Sequence, residues 1–305
     1  MRAAFIDTIL ELAAKDPKIL LMTADLGFTV LEKFSKAFPG RFINVGVAEA
    51  NMMGLATGLA LDGWKPYVYS IATFASMRGY EQVRNGPVLH QLPVRVIGTG
   101  GGFAYGHAGI THFALEDYAI FRTLPGMTVI SPADPAQTRN ALLETVDLPG
   151  PVYFRIGKGG NPGVAGLSGR FKLGDLERVR VGKDALLVCT GPITPAVMEA
   201  AADLERQGVQ TTVLVAATLS PASAIKLGAQ IDSFPVIVTV EEHFIRGGLG
   251  SLIAEVLTQR ATRPRLVRLG VDEMITGVSG SMDFLRRRAG LAPDQIAARV
   301  IEALR

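Results

Sequence analysis

Residues 44–60 read N-V-G-V-A-E-A-N-M-M-G-L-A-T-G-L-A, and the fold turns on how this stretch is read. An apolar run (Phe42, Ile43, Val45, Val47) meets a segment rich in small residues (Gly54, Ala56, Gly58, Ala60), with one carboxylate, Glu49, at the junction. A short apolar run followed by a longer helix-forming segment predicts a strand, a turn and a helix beginning near residue 48. Glu49 then falls in the first helical turn, where an acid ordinarily complements the positive end of the macrodipole. The alternative is a carboxyl group in apolar surroundings, its pKa raised by desolvation, able to share a proton with a weakly basic ring nitrogen. No charge partner for Glu49 is evident in the stretch itself.

Outward from this junction, strand and helix patterns alternate. Residues 3–14 have helical spacing (Phe5, Ile9, Leu10, Leu12), and Lys18–Thr23 is a strand-like apolar run ending at A-D-L-G. Asp25 is thereby placed at the carboxyl end of a buried strand, where open parallel sheets hold their ligand-binding groups. Strands follow at 67–71, 94–98, 127–130 and 152–156, with helices over 75–85, 115–124 and after Pro135. Such repetition predicts an α/β fold, a parallel sheet covered on both faces. Gly157–Gly169 holds six glycines and a proline and reads as a linker. A second α/β block follows, with strands at 186–189, 212–215, 236–240 and 266–269 and helices over 196–206, 251–259 and 295–304.

Composition narrows the function classes. At 305 residues and 48% hydrophobic, the chain can bury the cores of two domains. Charged residues make up 19% and the net charge is +3, with Lys and Arg scattered, which excludes a nucleic-acid surface. The densest cluster, Arg286-Arg287-Arg288, reads as a solvated helix face. The lone cysteine, Cys189, cannot form an internal disulfide and reads as a small buried hydrophobe in a reducing, cytoplasmic setting. No run approaches the roughly 20 apolar residues that span a bilayer.

The loop 98–112, G-T-G-G-G-F-A-Y-G-H-A-G-I-T-H, is too long for a simple strand-to-helix turn. It does not fit G-x-G-x-x-G, and Lys158 lacks the Ser or Thr that would follow it in a P-loop. His107 and His112 share this loop and are candidates for donating to a substrate oxygen or moving a proton near neutral pH. Their spacing fits no zinc pattern. Phe74 opens the helix pattern F-A-S-M-R-G-Y-E-Q-V-R-N, with Met77 and Tyr80 on roughly the same side, a core stripe or a cofactor platform. Arg2 and Arg155 lie near predicted strand ends and are ordinary surface arginines when taken alone.

In order, T-A-D-L (23–26), G-V-A-E-A-N-M (46–52), T-F-A-S-M (73–77), Y-E-Q-V-R-N (80–85), G-I-T-H-F-A-L-E-D (109–117), S-P-A-D (131–134), Y-F-R (153–155) and E-E-H-F-I-R-G-G-L-G (241–250) resemble the C-terminal half of transketolase. The resemblance covers nearly the whole chain. It implies two doubly wound α/β domains, a thiamine-diphosphate pyrimidine-binding domain over 1–160 and a transketolase C-terminal domain over 179–305, joined by a linker at 161–178. By this match Glu49 hydrogen-bonds the aminopyrimidine ring, so that a ring nitrogen removes the proton from the thiazolium carbon and the cofactor stabilises the carbanion. Phe74 lies on the aminopyrimidine face, Asp25 near the thiazolium, and Met77 and Tyr80 line the same pocket, Met77 where an aromatic is frequent. His112 is a donor or proton shuttle, Arg2 and Arg155 hold the sugar phosphate, and His107 stands in the sugar contacts where an acid is common.

In this family a G-D-G motif and a downstream asparagine bind the diphosphate and its metal, and Leu61-Asp62-Gly63 lacks the first glycine. The resemblance therefore implies a split enzyme. This chain is its C-terminal subunit, with no metal ligand of its own. A separate N-terminal subunit holds the diphosphate and Mg2+ or Ca2+, and a homodimer core sits within an α2β2 heterotetramer. Turnover is the transfer of a two-carbon ketol unit between phosphorylated sugars. The alternatives are a fragment of a longer enzyme, a deoxyxylulose-phosphate synthase-like enzyme, the β subunit of a 2-oxo acid decarboxylase, or a non-catalytic scaffold.

Overall fold

The computed structural model describes residues 1–221, 231, 233–260 and 264–305. In the first half, β1 (Ile19–Thr23), β2 (Phe42–Asn44), β3 (Lys65–Ile71), β4 (Arg95–Thr99), β5 (Thr128–Ile130) and β6 (Val152–Ile156) are parallel, in the order β2-β1-β3-β4-β6-β5. β1, β4 and β6 are buried along their whole length, so they read as continuous apolar runs instead of alternating ones. Chain order reverses at β1, with β2 on one side and β3 on the other. Doubly wound sheets open a ligand crevice at such a point, outside the carboxyl ends of the strands. Helices cover the sheet. Among them, Pro135–Thr145 starts with a proline at its first position and with Asp134 accepting from the Gln137 N–H at 2.7 Å.

The single helix expected over 75–85 is instead two short ones, Ala72–Met77 and Tyr80–Val83, followed by a wider turn at Arg84–Val88 that contains Pro87. Gly79 lies at the break. A Cβ there would stand 2.8 Å from Cγ of Met53 and 3.4 Å from the Glu49 carbonyl oxygen. Only glycine lets this segment pack against the start of the helix Glu49–Leu61.

The second half contributes β7 (Leu176–Arg180), β8 (Ala185–Cys189), β9 (Thr211–Ala216), β10 (Thr218–Ser220), β11 (Val236–Phe244) and β12 (Arg265–Val271). Five of these form a sheet in the order β12-β11-β8-β9-β7, parallel except for the edge strand β7. Two details depart from the expected division. β7 begins inside the stretch read as a linker. β10 leaves its own half and pairs antiparallel with β5, Thr218 opposite Ile130, so the first sheet has seven strands.

The two halves also share core. Met52, Tyr118 and Val129 belong to one apolar cluster with Leu186, Leu214 and Leu249. Phe103 and Phe113, from the glycine-rich loop and its end, pack edge to face at 5.3 Å and join Leu115 and Ala133 in a cluster built mostly by the second half. Cys189 is buried, as its sequence context predicts, and burial pushes its thiol up to about 12. The reading of Arg286 as a solvated residue is corrected. It lies in the helix Met282–Arg288, is buried, and pairs through Nε with Glu242, while Arg287 pairs with Asp294 at the surface. Among the described residues, no helix is long and apolar enough to cross a membrane.

Candidate active site

Glu49 is the first residue of its helix and is 2% exposed. The turn before it is held by Asn44, whose Oδ1 accepts from the N–H groups of Asp25 (3.0 Å) and Gly46 (3.1 Å) while its Nδ2 donates to Asp25 at 3.2 Å. These bonds tie the ends of β1 and β2 together. Asp25 itself is exposed and has a left-handed backbone (φ 54°), a conformation uncommon outside glycine and enriched at functional turns.

The surroundings of Glu49 differ from those expected. Ser70, near the end of β3, donates to Oε1 at 3.1 Å, and Nη1 of Arg78 donates to Oε1 at 3.1 Å and Oε2 at 2.9 Å. The carboxylate thus has a charge partner, supplied by the segment that Gly79 brings close. The Arg78 guanidinium also stacks on Phe74, 3.7 Å from the ring centroid. Phe74 meets the ring of His112 edge-on at 5.1 Å. His112 lies 6.3 Å from Tyr105, and Nζ of Lys158 lies 4.4 Å over the Tyr105 ring. A continuous strip therefore runs from a buried carboxylate, over aromatic rings and an imidazole, to an exposed cation. Arg2 flanks its far end. Its field acts on Tyr105, and its Nη2 lies 3.7 Å from where Gly159 would carry a Cβ.

Of the residues singled out from sequence, Glu49, Phe74 and His112 come together, with Arg2 at the far end and Asp25 at the crevice. His107 is exposed and outside the strip. Met77 is 46% exposed, and Tyr80 turns inward, its hydroxyl within 3.0 Å of the Ile120 carbonyl oxygen and of the Thr123 hydroxyl. The break at Gly79 separates these two side chains, which a continuous helix would have kept together. Arg78 and Tyr105 were missed. Arg78 stands four residues after Phe74, the spacing at which helical side chains touch, and this was the available signal.

Arg155, expected at a substrate phosphate, is 2% exposed, donates to the Glu242 carbonyl oxygen at 2.6 Å and to Asp117 at 3.3 Å, and lies over the Tyr118 ring at 4.3 Å. Burial works against its charge, but Asp117 and the neighbouring phenols outweigh it and hold the guanidinium above its ordinary value. Arg155 also lines a cavity of about 110 Å³ with Lys158, Asn161, Thr190 and Glu242. The glycines of the loop are explained here. A Cβ on Gly101 would lie 1.7 Å from Nε of Arg155, and one on Gly102 would lie 2.2 Å from Oε1 of Glu242. The loop is glycine-rich because two buried side chains pass under its backbone, with the Phe103 N–H donating to Glu242.

Behind Arg155, Glu241 accepts from the N–H groups of Leu249 (2.7 Å) and Gly250 (2.8 Å), yet burial pushes it up to about 7. Burial also lowers His243, stacked on Tyr118 at 4.9 Å, to about 4. These shifts have opposite pH signatures. Folded Glu241 keeps a proton that the unfolded chain releases near pH 4.5, so its contribution to stability is lost as pH rises through about 7. His243 contributes stability present above about 6.5 and lost as pH falls toward 4. Above pH 6.5 only the Glu241 effect is left. Urea unfolding at pH 6.5 and pH 8 is therefore expected to show a drop for the native chain that is flattened in Glu241→Gln. An equal drop in both would remove Glu241 as its source.

The sequence matches the family description "Transketolase, pyrimidine binding domain" over residues 1–162 and "Transketolase, C-terminal domain" over 174–296. It is 34% identical over 308 residues to the "putative transketolase C-terminal section" of Methanocaldococcus jannaschii, covering 100% of this chain and 96% of that protein. It is 36% identical over 304 residues to the "6-deoxy-6-sulfo-D-fructose transketolase subunit SqwH" of a Clostridium species, covering 97% and 92%. Among solved structures, it superimposes on a "split gene transketolase, inactive beta4 tetramer" with a TM-score of 0.87 at 37% identity, over 99% of this chain and 97% of the other.

Proposed function

This chain belongs to the transketolase family, and on that premise we propose that it is the C-terminal subunit of a split transketolase, with Glu49 as the residue that activates thiamine diphosphate. The observation that carries the reading is a carboxylate, 2% exposed, beside an aromatic face at the reversal point of the sheet. A flat ring that donates to the carboxylate and stacks on Phe74 fits there, as the planar Arg78 guanidinium already does. When bound, the cofactor supplies the carbanion-stabilising centre for moving a two-carbon ketol unit between phosphorylated sugars.

This chain's own residues have distinct tasks. Glu49, oriented by Ser70, would hydrogen-bond the pyrimidine ring nitrogen. Phe74 fixes the plane of that ring. Asp25 lies at the crevice, where it would face the thiazolium end. His112, held at Nδ1 by the Thr111 hydroxyl at 3.0 Å, donates to or moves a proton at the substrate oxygen through its other nitrogen. Arg2 and Lys158 attract the anionic end of the sugar phosphate.

A second polypeptide grips the diphosphate and its divalent metal, and two copies of the present chain form the centre of the assembly. Val47 (71% exposed), Met77 and Leu55 (41%) present apolar surface near Glu49, which supports a protein partner covering that side. The test is to purify the chain from its own cells and identify its companion. A protein bearing G-D-G is expected, with ketol transfer only when both are present. Tight, magnesium-dependent binding of thiamine diphosphate to the isolated chain would contradict the division of labour.

A further inference from the structure

The Arg78 guanidinium covers both features that the preceding section assigns to the cofactor ring. Its Nη1 donates to the two oxygens of Glu49 at 3.1 and 2.9 Å, and its Cζ lies over the Phe74 ring, 3.7 Å from the centroid. A guanidinium and a 4-aminopyrimidine share an N–C–N edge, a flat delocalised face and hydrogen-bond donors. One carboxylate and one ring face cannot serve both at once.

We propose that Arg78 is a displaceable placeholder, sitting in the aminopyrimidine seat of the free chain and swinging out before the heterocycle enters. The inference rests on the reading of Glu49 and Phe74 given above and goes beyond it. Burial is asymmetric across the pair, with 2% of the Glu49 side chain exposed against 44% for Arg78. The acid is fixed and the cation has solvent to leave into. The guanidinium regains solvent when it leaves, and Glu49, which keeps the Ser70 donor, lacks a full partner only between the departure of Arg78 and the arrival of the ring.

The placeholder lowers the apparent affinity of the free chain for the ring by the fraction of time that Arg78 is out. The diphosphate grip of the partner then supplies what displacement requires. Cofactor capture and subunit assembly become coupled, since Glu49 is released to the ring only when the tail is held.

The test is calorimetric titration of the full chain with 4-amino-2,5-dimethylpyrimidine, the heterocycle without its diphosphate, so that neither partner nor turnover enters the readout. Arg78→Met keeps side-chain length but loses the cation, and its dissociation constant is expected to fall at least fivefold below that of the native chain. Arg78→Lys, which keeps the charge and loses the planar face, is expected in between and serves if the methionine variant does not fold. An unchanged or weaker affinity in both variants overturns the proposal, as does absence of binding to all three chains. Phe74→Ala separates this from failure of the underlying reading. With the seat on Phe74 it weakens binding whether or not Arg78 competes, and a Phe74→Ala chain that binds as the native one does puts the heterocycle elsewhere.

Discussion

Glu49→Gln is expected to lower the kcat of the assembled enzyme by about 10³-fold or more, within or above the range usual for losing a positioned acid–base group, while leaving the chain folded. Glutamine has the same shape and can still accept from Ser70, which bonds Glu49 at 3.1 Å, and from Arg78. What it lacks is a proton to share with a ring nitrogen. The ion pair it breaks has a half-exposed partner, so the effect on stability is expected to stay within about 1 kcal/mol. A chain that unfolds normally in urea and has lost turnover isolates the acid–base role from any structural one. Turnover within threefold of the native complex would remove Glu49 from the chemistry.

Arg155→Met is expected to act on the opposite quantity. Asp117 is fully buried, and its other oxygen accepts from the Tyr153 hydroxyl at 2.6 Å. Removing the guanidinium leaves that carboxylate without its counter-charge, and losing one member of such a pair typically costs about 3–5 kcal/mol. The bond to the Glu242 carbonyl oxygen is lost as well, and with it one tie between the two halves of the chain. The midpoint of urea unfolding should fall accordingly, and Asp117→Asn should recover part of the loss when added to Arg155→Met, because it removes the stranded charge. If Arg155 mainly held the substrate phosphate, the variant would instead raise KM for phosphorylated sugars and leave the urea midpoint in place. The structure favours the first outcome, and the two measurements separate them.

Both predictions show which features were legible in the sequence. Glu49 was marked by its place between an apolar run and a helix of small residues, and strand and helix boundaries near it agree with the periodicity because those patterns are local. Phe74 and His112 were named from their segments and from the resemblance, and they meet in space because β3 and β4 are neighbours in the sheet. Arg78 was passed over because an arginine within a helical pattern is ordinarily solvated. Its assignment required knowing that Gly79 brings that helix against the Glu49 helix. Arg286, read as a surface charge, is buried for a comparable reason: Glu242, 44 residues away in sequence, reaches it from β11 of the same half.

By itself the sequence determined the α/β class, the two-block order, the position of the acid and the family, since periodicity, turn residues and ordered motifs are properties of neighbouring residues. The tertiary structure decided the rest. It placed Arg78 rather than open space opposite Glu49, put Arg155 inside a buried network, and sent β10 across to the first sheet. Each of these depends on which side chain of a distant segment arrives at a given point. Charge pairing and desolvation there are set by distance in space, on which separation along the chain has no bearing.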